Sequence, residues 1–149
     1  MRGPAALVAA LALAGCDSGS QDEAATTPAA QDREPGYARL IRDWSRAINA
    51  ERYGRAASFF APGAIVQQGR EFRLADRTAA VVFNSTLPCK ADVTDVDGRG
   101  DTLLAAFRLR DGPGGSCDGS ARVRFRFRNG KFTEWRQLPE DEPSPGEVL

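Results

Sequence analysis

Few side chains in these 149 residues could do chemistry. Histidine is absent, which removes the commonest general base and metal ligand. The carboxylates come closest to a catalytic pattern at Asp92, Asp95 and Asp97. On a strand, one of them turned inward would be an acid or base; all on one face would be a solvated surface. No spaced set of Cys, His or carboxylate ligands has the form of a metal site, so neither metal nor cofactor is expected. Gln68 ends a short apolar run with a polar amide. Arg122, Arg124, Arg126 and Arg128 recur at every second residue, and Arg108 and Arg110 extend the same resource. Such a row reads either as a solvated face whose stems cover apolar atoms, or as a surface for an anionic partner or a second copy of the chain.

Three cysteines remain: Cys16, Cys89 and Cys117. Met1-Arg2 supplies a small positive start, and an uncharged run from Ala5 to Ala14 follows. That run is too short for a membrane span, which needs about 20 residues, and fits the apolar part of an export signal. Leu13-Ala14-Gly15-Cys16 resembles the lipobox of bacterial lipoproteins, in which the cysteine is lipidated and the chain is cut just before it. The other reading is an ordinary secretory signal with a cysteine nearby; the cysteine's place directly after the apolar run favours lipidation. With Cys16 lipidated, Cys89 and Cys117 are left as an even pair outside the reducing cytosol, and a disulfide between them is expected.

The segments organise around one folded body. Residues 1–15 read as the signal, 16–34 as a polar disordered tether, 35–138 as one domain and 139–149 as an acidic, proline-containing disordered tail. Formal net charge is zero, but residues 35–138 carry 18 Arg and Lys against 11 Asp and Glu, a net +7. Such a body beside a membrane would sit close to anionic headgroups or wall polymers.

The domain reads as helices first, then strands. Tyr37, Leu40, Ile41, Trp44, Ala47 and Ile48 form one apolar helical stripe, entered at Pro35. A shorter amphipathic piece carries Tyr53, Ala56, Ala57 and Phe60, and Pro62-Gly63 stops it. Residues 64–68 and 70–74 read as short strands, and 75–86 as a third helix with Ala79, Val82 and Phe83 inward. The period then changes to two, with strands at 90–96, 102–110, 122–128 and 131–138 and a glycine-rich connection at 112–119. Asn129-Gly130 is a hairpin turn, and unbroken pairing around it sets Trp135 beside Arg124 and Thr133 beside Arg126. Helices on one side of a curved antiparallel sheet make an α+β domain.

Several motifs in this order resemble the nuclear transport factor 2-like superfamily, a cone-shaped fold that includes SnoaL-like proteins and ketosteroid isomerase. They are Trp44 through Ile48-Asn49-Ala50, Tyr53 through Phe59-Phe60-Ala61, Ala64-Ile65-Val66, and Arg126-Phe127-Arg128-Asn129-Gly130-Lys131-Phe132-Thr133-Glu134-Trp135. The resemblance implies a cavity between sheet and helices, with Trp44, Phe60, Val66, Gln68, Phe83, Phe107, Phe125 and Phe127 as its candidate lining; any of these reads equally as plain core. It also aligns Trp44 with the oxyanion-hole tyrosine of the isomerase and Gln68 with its aspartate base. An indole donates one neutral hydrogen bond and an amide accepts no proton near neutrality, so that chemistry is not expected.

Two functions follow as expectations. One is a non-catalytic module, lipid-anchored at Cys16 to the extracytoplasmic side of the cell membrane, binding a small apolar ligand or an anionic envelope component, with a homodimer through the outer sheet face as a further option. The other is a SnoaL-like isomerase, cyclase or hydrolase using an unidentified pocket carboxylate. Nucleic acid is not expected outside the cytosol.

Overall fold

The structure is a computed structural model that describes residues 36–140. The signal, Cys16, the tether, Pro35 and residues 141–149 lie outside the described residues. Helix α1 spans Gly36–Asn49, α2 Tyr53–Ala57 and α3 Arg77–Thr86; the strands are β1 Phe60–Gln68, β2 Arg70–Leu74, β3 Lys90–Arg99, β4 Thr102–Arg110, β5 Ser120–Arg128 and β6 Lys131–Leu138. They form one curved six-stranded sheet in the order β2-β1-β6-β5-β4-β3. The helices cover one of its faces.

The stripe on α1 does what its spacing implies, burying Ile41, Trp44, Ala47 and Ile48, while Tyr37 at its start stacks on Phe127 of β5 with ring centres 4.2 Å apart. The helix ends because Glu51 turns left-handed at φ 56°. The Arg52 N–H then reaches back to the Ala47 carbonyl and the Glu51 N–H to that of Ile48, both at 2.9 Å, the paired closure of a Schellman end. Helix α3 starts on Asp76, whose carboxylate accepts the Ala79 N–H at 2.8 Å.

Four local expectations are corrected. The sheet is mixed, because β1 pairs in parallel with β6, a non-local choice that leaves no mark on periodicity. Phe60 belongs to β1; the second helix has already ended at Ala57, and Pro62-Gly63 lies within an irregularity of the strand rather than stopping a helix. Val82 points outward and is 56% exposed, while Ala80 and Asn84 fill the inner side of α3. The β5–β6 register shifts between Arg126 and Phe127, so Trp135 lies opposite Phe125 and Glu134 opposite Arg126. The register expected across the turn would have put an indole among guanidinium groups; the bulge returns it to the core.

Candidate functional site

Inside the cone, the sheet and helices meet at Trp44. Phe60, Phe107, Phe125, Phe132 and Trp135 surround its ring with centroids 5.8 to 6.5 Å away, each meeting it at a steep angle, the geometry favoured by aromatic quadrupoles. Its Nε1–H donates to Asn84 Oδ1 at 2.8 Å, and Asn84 Nδ2 donates in turn to the Ala80 carbonyl at 2.7 Å. This indole is therefore occupied by a side chain that spacing alone did not reveal. Helix α1 is pinned to the start of β3: Ser45 Oγ donates to the Ala91 carbonyl at 2.5 Å, Asn49 Oδ1 accepts the Ala91 N–H at 2.8 Å, and Asn49 Nδ2 donates to Asp92 Oδ1 at 3.0 Å.

Beside the aromatic cluster lies a cavity of about 70 Å³. Trp44 and Phe107 line it, and the exposed Gln68 forms part of its rim. Ile48, Leu109, Val123 and Trp135 also form part of its walls, with Gln137 a second amide among the lining residues. Trp135 Nε1 is buried with no hydrogen-bond partner among the described residues. Of the other candidate lining residues, Phe60, Phe125 and Phe127 belong to the packed aromatic core. Val66 and Phe83 face a separate groove between β2 and α3. The alternation of β4 and β5 was enough to turn Leu109 and Val123 inward; the contributions of Trp135 and Gln137 depend on the β6 bulge and could not be read from it.

The carboxylates lie away from these walls. A bulge between Val93 and Asp95 sets Asp92, Asp95 and Asp97 opposite Arg108, Ala106 and Leu104, all on the outer face. Arg110 bonds Asp92 at 2.5 and 2.9 Å, and that contact holds the carboxyl below its usual range, with Arg108 adding to it. On the same face Glu134, which spacing alone had not singled out, gathers the arginines. It meets Arg124 and Arg136 at 3.1 Å and Arg126 at 3.8 Å, and Arg136 continues to Glu71 at 2.9 Å. Burial raises the Glu134 pKa, but hydrogen bonds from Arg136 and Arg124 outweigh it and the net shift is downward. Arg122, Arg124, Arg126 and Arg128 do share the outer face, and part of their charge is balanced there.

Cys89 and Cys117 form a disulfide with Cα atoms 5.8 Å apart. It straps the connection after β4 against the start of β3, where Cys89 and Pro88 also line the cavity. The Gly114 N–H donates to the Pro88 carbonyl at 2.9 Å. A Cβ on Gly112 or Gly114 would lie 2.6 or 2.5 Å from Pro88 atoms, so this contact needs glycine at both positions.

No protein-family model and no curated protein matches the sequence. Solved structures do. A protein provisionally named a ketosteroid isomerase, from Kribbella flavida, superposes with a TM-score of 0.59 at 17% identity over 74% of this chain and 84% of that one. A protein provisionally named a polyketide cyclase, from Sinorhizobium meliloti, gives 0.57 at 16% identity over 70% and 95%. A nuclear transport factor 2-like protein of unknown function from Cytophaga hutchinsonii gives 0.58 at 12% identity over 72% and 92%. The fold is the nuclear transport factor 2-like cone. In this cone the wall offers indole and amide groups, and the two carboxylates with shifted pKa values are both held charged on the outside.

Proposed function

We propose that this chain is a lipid-anchored extracytoplasmic binding module whose cone takes a small, mostly apolar ligand and performs no chemistry on it. The cavity carries this reading. At about 70 Å³ it is far below the roughly 300–1,000 Å³ of drug-sized sites, which suits a molecule of a few heavy atoms. Buried donors normally have an acceptor, so the orphaned Trp135 N–H supports a ligand carrying one acceptor oxygen or nitrogen. Asp92 and Glu134 are held as carboxylates by arginines and carry no proton to donate near neutrality. The anchor rests on Cys16, and the disulfide between the other two cysteines is in keeping with an oxidising compartment.

Native mass spectrometry of protein extracted from membranes is expected to show a retained species of low mass that Trp135→Phe releases. Turnover of a ketosteroid or polyketide substrate by the purified protein would overturn this reading in favour of an isomerase or cyclase, which the names of the Kribbella and Sinorhizobium structures support. Cys16→Ser is expected to move the protein from the membrane to the soluble extracytoplasmic fraction.

A further inference from the structure

Phe72 and Val82, 53% and 56% exposed, are the large hydrophobic side chains left in solvent among the described residues, and they stand together. They line a groove of about 550 Å³ between edge strand β2 and helix α3, floored by Val66, Leu74 and Phe83. Two exposed apolar side chains over an apolar floor, beside a strand edge that is unpaired among the described residues, mark a surface suited to an occupant. Arginines flank it: Arg73 is part of its lining, and Arg70 lies over the Phe72 ring at 5.8 Å.

We infer that the occupant is this chain's own segment 139–149, folded back from the end of β6. Gln137 of β6 lines the cone cavity together with Gln68 and Leu87, and Thr86, next to Leu87, lines the groove. Gln67 of β1 lies opposite both Arg136 of β6 and Glu71 of β2, so the segment leaves β6 at the end of the sheet where β2 begins. Two strand spacings separate β6 from β2, about 9.5 Å, and eleven extended residues reach up to about 36 Å. Charge and shape agree. Glu140, Asp141 and Glu142 come first, where Arg70 lies, and Glu147 follows nearer Arg73. Pro143 and Pro145 favour an extended path, and Val148-Leu149 supply aliphatic side chains for the floor. Asp76, also in the lining, has its carboxylate engaged at the start of α3. This inference does not depend on what the cone binds.

The test compares amide NMR spectra of the chain with and without residues 141–149. Removal is expected to shift Phe72, Val82 and Thr86 while Ala105 and Val123 stay in place, and a peptide of residues 139–149 added to the shortened chain is expected to reverse those shifts. A chain carrying Asp141→Asn, Glu142→Gln and Glu147→Gln is expected to reproduce most of the effect. The inference is overturned by unchanged β2 and α3 signals, or by shifts confined to Gln68, Leu87 and Gln137, which would place the segment over the cone mouth. Phe72 signals that move with protein concentration would assign the groove to a second copy, and signals lost on adding anionic vesicles to the full chain would assign it to a lipid surface; either result also overturns it.

Discussion

The hydrogen bond from Trp44 to Asn84 joins α1 to α3 across 40 residues of sequence and is buried. Trp44→Phe keeps an aromatic ring but removes the donor, leaves Asn84 Oδ1 without it and loses volume among five rings. A cost of about 3 kcal/mol in urea unfolding is expected. Glu134 makes the complementary case on the outer face. Its folded pKa lies below the ordinary value of 4.5, so its contribution is fully present above that value and is lost as pH falls through the lower folded one. The arginines around it are partly solvated, which keeps the effect modest. Glu134→Gln is expected to cost about 1–2 kcal/mol at pH 7. The gap from the parent protein should narrow as both are taken below about pH 4, read from urea midpoints across the range.

Elements are where the sequence was most legible and most misleading. Order and type could be read because period changes from 3.6 to two after Leu87, and Asn129-Gly130 announces its turn. Single-residue irregularities could not. A bulge between Val93 and Asp95 and a register shift beside Phe127 each leave composition untouched while deciding which face the following residues take. They explain why three aspartates end on one face, why Trp135 faces the core, and why Glu134 rather than an indole meets the arginines. For the candidate site this meant that spacing turned Trp44 and Phe107 inward and the resemblance named them, with Gln68, as candidate lining, while Trp135 and Gln137 were not reached by either. The end of α1 offers a test of the same local physics. Glu51 holds a left-handed conformation that glycine adopts without strain. Glu51→Gly is therefore expected to raise stability by about 1 kcal/mol, seen as a higher urea midpoint with unchanged slope.

At the scale of the molecule, the Cys89–Cys117 link connects the fold to the compartment. It closes a loop with a sequence separation of 28, which in the chain-entropy view restricts the unfolded chain by about 3.5 kcal/mol. The strap it holds has two further attachments, the Gly114–Pro88 hydrogen bond and the close approach of Gly112 and Gly114 to the same segment. Reduction should consequently loosen the strap while leaving the aromatic core, which lies on other elements, assembled. The Cys89→Ser/Cys117→Ser double variant is expected to lose about 3 kcal/mol in urea unfolding and to become sensitive to limited proteolysis within 111–119, with its near-ultraviolet circular dichroism retained. Stability unchanged by the double substitution would mean that glycine packing alone holds the strap. In that case the thiols would set no requirement for an oxidising compartment, and the argument from cysteine pairing to location would rest on Cys16 by itself.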